Sequence, residues 1–305
     1  MKTEFKTLMD FIAAFPNEAA ARAHFEQVRF RNGQYCPHCG HANVHKYSDG
    51  KRWRCGKCKQ DFTITTKTIF HKSKVPLHKW YVALYLLSTS KKGISSLQLA
   101  KHIGVPQNTA WLMGQKIRAS MKQGNGQLFG KVELDETYVG GKEKNKHFIK
   151  RVKGTQGRNV KTKSVVMGMV QRSGKAKASV VPNVKMSTLE SKIVENVQIG
   201  TQLYTDELLS YSKIGKLYPH KAVIHSKGKY VDGDAHSNSI ESFWALFKRG
   251  YHGTYHSMSK KHLQKYVDEF VYRFNVKGEP MQDVFADVVG KMSAHGIMGY
   301  KAITA

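Results

Sequence analysis

Acidic residues are scarce in this chain of 305 residues, which contains 22 Asp and Glu against 50 Lys and Arg. The formal net charge of +28 is spread along the whole chain and favours a polyanionic partner over a merely soluble basic protein. Long apolar runs are also missing, since the longest, Trp80 to Leu87, is far too short to span a bilayer. Charges within Met1 to Phe11 interrupt the apolar core that a signal peptide needs. We therefore expect a cytoplasmic protein that binds DNA or RNA and has no membrane partner.

Cysteine is equally rare, and its four residues form two close pairs. Cys36-Pro-His-Cys39 and Cys55-Gly-Lys-Cys58 are separated by fifteen residues. In a large chain without a secretory signal, such pairs favour metal binding over disulfides. Two CxxC turns at this separation are typical of a tetrahedral four-cysteine zinc ribbon. We place this ribbon at residues 35–70, after two short helices in residues 1–34, the second of which Asn17 can cap.

The predicted metal is one structural Zn²⁺ ion, because four thiolates leave no open coordination position for water. His38, His41 and His45 are nearby alternative ligands, each less favoured than the cysteines. The ribbon also carries a set of basic side chains, Lys46, Lys51, Arg52, Arg54, Lys57 and Lys59. This basic surface is expected either to contact DNA or a protein, or simply to be a solvated face.

Residues 71–122 have the helical spacing of a small DNA-binding module. Apolar positions predict helices at Pro76–Leu87, Leu97–Ile103 and Gln107–Met121. Gly104-Val-Pro106 makes the turn between the last two helices, which is the layout of a helix-turn-helix. Contacts with base edges would fall at the start of the third helix, on Gln107, Asn108 and Thr109. A helical bundle that only links two domains is the alternative.

After a linker at Gln123-Gly-Asn-Gly126, the apolar period changes from helical to extended. Strands are predicted at Val132–Val139, Ser164–Gln171, Lys177–Val181, Gln202–Thr205 and Ala222–His225. Helices are predicted at about Ser187–Val197, Leu208–Leu217, Asn238–Lys248, Lys260–Asn275 and Gln282–Met292. Three antiparallel-type strands followed by alternating helices and strands are compatible with an RNase H-like α/β domain. Residues 127–280 are thus expected to form a mixed five-stranded sheet flanked by helices, and residues 281–305 a C-terminal helix and tail.

Asp135 lies within an apolar, β-prone run, Val132-Glu-Leu-Asp-Glu-Thr-Tyr-Val139, of a basic chain. An unpaired charge on such a strand is costly unless it binds a cation or lies in an active site. Asp206 falls where a later strand ends, although an Asp there is about equally compatible with a helix N-cap. Glu241 lies on a helix, where it either joins Asp135 or forms a capping box with Asn238.

Carboxylates from two strands and a helix can converge on one sheet edge and hold two Mg²⁺ (or Mn²⁺) ions. Such a pair of ions activates water or a 3′-hydroxyl for in-line attack on a phosphodiester and stabilises the departing oxygen. Lys248, two turns beyond Glu241 on the same helix face, would hold a phosphate near them. A stretch with nine Lys or Arg in residues 141–163 leaves the Asp135 strand. The predicted contacts with the DNA backbone are Lys142, Lys144, Lys146, Lys150, Arg151 and Arg249.

Together these motifs resemble the bacterial insertion-sequence transposases of the DDE class, in the group with an N-terminal zinc ribbon and an RNase H-like domain. The resemblance covers nearly the whole chain and rests on Phe15-Pro16, the two CxxC pairs, Glu133-Leu-Asp-Glu-Thr-Tyr-Val-Gly-Gly141, Tyr204-Thr-Asp206, His236-Ser-Asn-Ser-Ile-Glu-Ser-Phe-Trp-Ala-Leu-Phe-Lys-Arg-Gly250 and Phe270-Val-Tyr-Arg-Phe-Asn275. It implies Asp135, Asp206 and Glu241 as the catalytic acids, with Lys248 as the lysine seven positions after the glutamate. The tyrosine and arginine often found upstream of that glutamate are absent. Some relatives use an asparagine as the third residue, which keeps Asn238 open.

The resemblance implies a transposase that binds the terminal inverted repeats of its element and acts on double-stranded DNA as at least a dimer. It would hydrolyse a phosphodiester and then use the freed 3′-hydroxyl to attack target DNA by strand transfer. Two alternatives remain. One is a metal-dependent nuclease on the same core, and the other is a catalytically inactive DNA-binding protein derived from a transposase.

Overall fold

The computed structural model describes residues 5–141, 145–152, 162–205, 217–222 and 237–304. The chain folds into two compact units, one made of residues 1–121 with 278–305 and the other of residues 122–277. The finer division of the first unit into separate modules stays a prediction. No helix within the described ranges is long and apolar enough to cross a membrane.

The first unit begins with helices α1 (Leu8–Ala14) and α2 (Glu18–Arg29), strands β1 (Val44–Lys46), β2 (Arg52–Cys55) and β3 (Asp61–Thr63), and helices α3 (Leu77–Thr89), α4 (Ser96–Ile103) and α5 (Gln107–Ser120). Local capping fixes two of the helix starts. Oδ1 of Asn17 accepts the N–H of Ala20 at 3.0 Å, which confirms the predicted cap of α2. The Ser95 hydroxyl accepts the N–H of Gln98 at 3.2 Å before α4. Between α4 and α5, Gly104 has a φ of +60°, a left-handed conformation that glycine adopts without strain.

Strands β1, β2 and β3 form a small antiparallel sheet in that order. Trp53 and Phe62 pair directly across β2 and β3, with ring planes 14° apart, and both are buried. They pack with Cys36 and Cys55, which are fully buried as well. So small a sheet has little apolar area of its own, and the two cysteines therefore form part of its core.

A five-stranded sheet organises the second unit. Its elements are β4 (Lys131–Val139), β5 (Ser164–Gln171), β6 (Ala176–Val181), α6 (Met186–Asn196), β7 (Gln202–Thr205), β8 (His220–Ala222), α7 (Asn238–Gly250) and α8 (Leu263–Asn275). The strand order is β6-β5-β4-β7-β8, which puts β4 in the centre. Strands β4, β5 and β6 pair antiparallel, whereas β7 runs parallel to β4 and β8 parallel to β7. This mixed sheet confirms the predicted fold class.

Helices cover both faces of this sheet. On one face, Leu189 of α6 packs with Val132 and Leu134 of β4. On the other, Phe247 of α7 and Phe270 of α8 share a core with β5 and β6, and their ring centroids are 5.2 Å apart. Since both faces are covered, the central strand can place polar side chains only where they find partners or reach an edge of the sheet.

Most predicted bounds agree with the structure to within a few residues. The strands predicted at Ser164–Gln171 and Gln202–Thr205 have the predicted ends. The last strand of the sheet occupies His220–Ala222, two residues earlier than the predicted start. Residues 223–225 of that predicted strand and residues 208–216 of the preceding predicted helix lie outside the described residues.

Helices α9 (Met281–Ala294) and α10 (Tyr300–Thr304) belong to the first unit. Phe285 of α9 is almost completely buried in an aromatic cluster. Its ring centroid lies 5.3 Å from that of Phe11, 5.7 Å from that of Phe15 and 5.3 Å from that of Tyr81. The C-terminal helix predicted from apolar spacing is confirmed, and its partners are the N-terminal helices and α3.

Candidate functional site

The alternation of side chains along β4 assigns its acidic residues to two faces. Val132 and Leu134 pack on the α6 side, so Glu133 and Asp135 lie on the face covered by α7. Glu136 is two residues after Leu134 on the strand, so its side chain lies on the α6 side, in agreement with the sequence prediction. Asp135 is half-buried, and its Oδ1 accepts the N–H of Glu136 at 2.8 Å. Asp135 therefore lies on the α7 face and is also accessible to solvent, whereas Glu133 on that face is fully buried and Glu136 lies on the opposite face.

Helix α7 approaches the sheet closely beside Asp135. Gly168 of β5 is the direct partner of Asp135 in the antiparallel ladder and so lies on the same face. A Cβ atom on Gly168 would lie 2.6 Å from Cζ2 of Trp244 and 3.1 Å from Cδ1 of Ile240. Both of these side chains belong to α7, and both are buried. The lack of a side chain at position 168 thus lets α7 rest directly on the sheet.

Glu133 is fully buried at the first turn of α7. Its Oε2 accepts the backbone N–H of Ser239 at 2.8 Å and that of Ile240 at 2.9 Å. The first N–H groups of a helix lack intrahelical partners and carry partial positive charge, so a carboxylate is well suited to this position. A residue two positions before Asp135 therefore holds the start of the helix that carries Glu241.

The second oxygen of Glu133 binds an arginine. Oε1 accepts the Nε–H of Arg172 at 2.8 Å, in an ion pair whose side chains are 0% and 12% exposed, respectively. The Arg172 guanidinium also lies 4.0 Å from the ring centroid of Tyr204 on β7. No role was predicted for Glu133 or Arg172, although the period of two along β4 already placed Glu133 on the face of Asp135.

The start of α7 differs from the predicted capping box. The N-cap is Ser237 rather than Asn238, and its side chain makes no capping bond. Instead, the Ser237 hydroxyl donates to Oε1 of Glu241 at 2.7 Å. The capping-box alternative is therefore wrong. The N–H of Glu241, which such a box would give to Asn238, donates to the carbonyl of Ser237 at 3.0 Å, and Glu133 accepts those of Ser239 and Ile240. Glu241 and Lys248 are exposed and lie on the same flank of α7, about 20° apart around its axis.

Other predicted site residues are only partly covered by the structure. Asp206, Lys142 and Lys144 lie outside the described residues, although β7 does end at Thr205 as predicted. Lys150 and Arg151 are exposed, and Nε–H of Arg151 donates to the carbonyl of Lys146 at 2.9 Å. Arg249 is exposed near the end of α7. The catalytic and DNA-binding roles assigned to these residues stay predictions.

The four cysteines come together as a cluster. The sulfurs of Cys36, Cys39, Cys55 and Cys58 all lie within 4.8 Å of one another, and no histidine joins this group among the described residues. Two of the Sγ–Sγ distances are 3.7 Å (Cys36–Cys58) and 3.6 Å (Cys39–Cys55). Tetrahedral zinc with Zn–S bonds of about 2.3 Å needs sulfurs about 3.8 Å apart, so the cluster fits a structural zinc ion.

Hydrogen bonding prepares one of these thiols for metal binding. The backbone N–H of Cys58 lies 3.4 Å from Sγ of Cys55. This hydrogen bond, with a further one from the N–H of Lys57, lowers the pKa of Cys55 to about 6, against the opposing effect of burial. A lowered pKa favours the thiolate, which is the form that binds zinc.

Ion pairs occupy half of the basic residues named on the ribbon. Lys46 pairs with Glu26 at 2.7 Å, Arg52 with Asp49 at 2.7 Å, and Arg54 with Asp61 at 3.3 Å. Lys51, Lys57 and Lys59 are the exposed lysines of this set. The ribbon is therefore less positive toward a DNA partner than its composition alone indicates.

The start of α5 presents two exposed polar side chains, Gln107 and Asn108, whereas Thr109 is half-buried. The Gln107 side chain donates from Nε2 to the Ser96 hydroxyl at 3.1 Å and so ties α5 to α4. Gln107 and Asn108 are therefore the two side chains of this set that are exposed to a base edge.

Comparisons with known proteins agree with these features. Residues 127–275 match the ISXO2-like transposase domain, and residues 16–61 match the transposase zinc-ribbon domain. An uncharacterized protein in transposable element ISH50 of Halobacterium salinarum is 30% identical over 293 residues, or 91% of this chain and 98% of that protein. An uncharacterized transposase-like protein of Haemophilus influenzae is 32% identical over 97 residues, or 32% of this chain and 77% of that protein.

One solved structure with detectable similarity is the cryoEM structure of the simian T-cell lymphotropic virus intasome in complex with PP2A regulatory subunit B56 gamma. The match covers 60% of this chain and 66% of that chain, at 14% sequence identity and a TM-score of 0.28. A TM-score this low supports no structural argument.

Proposed function

The chain belongs to the insertion-sequence transposases with an ISXO2-like transposase domain and a transposase zinc ribbon, and from that premise we propose that it is a metal-dependent DNA transposase. It cleaves a phosphodiester at the ends of its element and joins the 3′ end to target DNA by strand transfer. Asp135, Asp206 and Glu241 hold two Mg²⁺ or Mn²⁺ ions, with Asn238 as the alternative third ligand. When bound, such ions activate the attacking hydroxyl and stabilise the charge on the departing oxygen.

One observation carries this proposal. Asp135 lies on the central strand of the sheet, on the face covered by α7, and α7 bears Glu241 and Lys248. Two rigid elements thus present carboxylates on one side of the sheet, and rigid elements hold metal ligands more accurately than loops do. Asp135 is half-exposed and Glu241 exposed, so a hydrated cation can reach their oxygens, the donor type that Mg²⁺ prefers.

Lys248 is the residue assigned to the scissile phosphate in this proposal. It is exposed on the same flank of α7 as Glu241, two turns further along the helix. An ammonium group there attracts a non-bridging oxygen of the scissile phosphate and holds the backbone near the carboxylates. Arg249 and Lys150, which are also exposed, are further cations that contact the DNA backbone in this proposal.

Recognition of the element ends is assigned to the first unit. The α4–turn–α5 arrangement, with Asn108 exposed at the start of α5, is suited to reading base edges in a major groove. The ribbon adds its exposed lysines to the contact with double-stranded DNA. Because two element ends must be joined in one reaction, the active assembly contains at least two copies of the chain.

A strand-transfer assay tests this function. Element-end DNA with a free 3′-hydroxyl is incubated with target DNA, Mg²⁺ and either the wild-type protein or Asp135→Ala. We expect the wild type to give joined product. The variant should give joined product only at the background level while it still binds DNA. Glu136→Ala is the matched control, since its side chain belongs to the opposite face, and it should remain active.

The same assay separates the alternatives. Cleavage without joined product from the wild type would indicate a nuclease. If the wild type gives neither product and Asp135→Ala changes no measurable property, the chain is a DNA-binding protein without catalytic activity. Either outcome would overturn the proposal.

A further inference from the structure

We infer that Glu133 is a positioning residue for the metal site, because its carboxylate fastens the first turn of α7 to β4 and so fixes Glu241 relative to Asp135. This inference rests on the proposed function, which assigns Asp135 and Glu241 to the metal. Glu133 itself touches neither the metal nor DNA in this scheme. It acts through the backbone of the two elements that carry the ligands.

The contact joins the two elements that carry the proposed ligands, close in sequence to both ligands. Glu133 and Asp135 are two residues apart on one strand face, or roughly 7 Å along the strand. The two N–H groups that Glu133 binds belong to Ser239 and Ile240, which immediately precede Glu241. A single carboxylate oxygen, at 2.8 and 2.9 Å from those nitrogens, therefore joins the strand that carries Asp135 to the helical turn that carries Glu241. A shift of α7 that moves Glu241 must first lengthen or break these bonds.

The chemistry around Glu133 favours one fixed geometry. A buried carboxylate is costly unless all of its oxygens have partners. Here Oε2 has the two helix N–H groups and Oε1 has Arg172, whose guanidinium lies over the ring of Tyr204. These contacts thus connect β4, α7 and β7. Because Glu133 is 0% exposed, water cannot easily replace any of these partners.

A second buried ion pair in the same unit supplies a matched control. Glu269 is also 0% exposed and binds Arg273 of the same helix, α8, whose side chain is 6% exposed. The Tyr255 hydroxyl donates to Glu269 at 2.8 Å. Glu269→Gln therefore disturbs a buried Glu–Arg pair of the same kind, without touching the first turn of α7. If Glu133 only stabilised the fold, the two Glu→Gln variants would behave alike.

The test uses the full chain as Glu133→Gln, Glu133→Ala and Glu269→Gln. The Glu133→Gln amide has one acceptor oxygen and no charge. At constant size its NH₂ therefore opposes either the two N–H groups of α7 or the Arg172 donor, and the remaining hydrogen bonds lose the strength that the carboxylate charge gave them. Fe²⁺ bound in place of Mg²⁺, with added hydrogen peroxide as oxidant and ascorbate as reductant, generates hydroxyl radicals that cut the backbone near the metal. Competition with Mg²⁺ then gives a local affinity. Urea unfolding gives stability, and amide hydrogen exchange reports on Ser239 and Ile240.

We expect Glu133→Gln to lose exchange protection at Ser239 and Ile240 and to bind metal about 10-fold or more weakly, as is usual when a supporting partner of metal ligands is removed. Glu269→Gln, at a similar loss of stability, should keep both properties. Should Glu133→Ala fail to fold, the Gln variant still provides the comparison.

Three results would overturn the inference. One is Glu133→Gln with metal affinity within about 2-fold of the wild type, and another is an equal loss in Glu269→Gln. Unchanged exchange protection in Glu133→Gln would overturn it as well, whether or not metal binds. By contrast, identical iron-directed cleavage of the wild type and Asp135→Ala would refute the proposed metal site. The exchange measurement would still test the contact between Glu133 and α7.

Discussion

Replacing Gly168 by alanine tests whether the close seating of α7 on the sheet matters. The added Cβ atom would lie 2.6 Å from Cζ2 and 3.0 Å from Cη2 of Trp244, where carbon atoms normally lie about 3.5–4 Å apart. Neither neighbour can yield easily, because Trp244 is 3% exposed and Ile240 is fully buried. The methyl group must therefore push α7 away from the strand pair that holds Asp135.

The expected magnitude follows from overpacking. Inserting a methyl group into a well-packed core costs about 1–3 kcal/mol, and the overlap of about 1 Å with a buried ring argues for a value near 2 kcal/mol. A Gly→Ala change also restricts the unfolded chain, which by itself stabilises the protein by about 0.4–1 kcal/mol. Gly124→Ala measures that opposing effect, because residue 124 is exposed and its Cβ would have nothing within 4 Å.

Urea unfolding, followed by tryptophan fluorescence, compares both variants with the wild type at constant m-value. A loss near 2 kcal/mol leaves a typical domain folded, so strand transfer by Gly168→Ala then reports on the displaced helix rather than on unfolding. We expect its transfer rate to fall while Gly124→Ala behaves like the wild type. Equal stabilities of the two variants, or an undiminished transfer rate for Gly168→Ala, would refute the reasoning.

Three further predictions concern the zinc, pH and DNA. Cys55→Ser should lower the zinc content below one ion per chain and destabilise the ribbon, as checked by atomic absorption and thermal unfolding. Burial lowers the pKa of His24 below its ordinary 6.5, so the unfolded chain binds the proton more tightly and stability falls as the pH drops below 6.5. His24→Gln should therefore flatten the difference in unfolding free energy between about pH 7.5 and 5.5, and an unchanged difference would contradict this assignment. Lys150→Ala should weaken binding to all double-stranded DNA sequences alike and reduce the salt slope by about 0.9, whereas Lys192→Ala on α6 should change neither.

Local elements were predictable because neighbouring residues determine them. The strand Ser164–Gln171 is an almost continuous apolar run, and α2 begins where Asn17 supplies its own cap. Each half of the cysteine cluster was predictable for the same reason, since a CxxC turn brings two thiolates together locally. The face on which Asp135 lies also follows from the period of two along β4. In each case the deciding interaction spans only a few residues.

Long-range partners were not predictable in this way. The helix-capping rule identified Asn238 and Glu241 as a local pair, whereas the actual acceptor, Glu133, is 106 and 107 residues from the N–H groups that it binds. The burial of Phe285 among N-terminal aromatic rings likewise depends on residues more than 200 positions away. A motif reveals which residue types are present, but only tertiary packing shows which distant group satisfies a free donor.

The buried Glu133–Arg172 pair bears directly on how the proposed carboxylate site can exist before metal binds. In that proposed site, Asp135 and Glu241 repel each other in the absence of a cation, and this repulsion favours movement of α7 away from β4. The interaction of Glu133 with the N-terminus of α7 opposes that movement, since a carboxylate near helix N–H groups is worth up to about 2 kcal/mol in partly buried sites. Arg172 neutralises the added charge, so Glu133 need not increase the repulsion that it offsets. In the proposed site, the elements that carry the metal ligands are therefore held by a neutral contact whose carboxylate is fully buried, which makes their separation a property of the fold rather than of the bound ion.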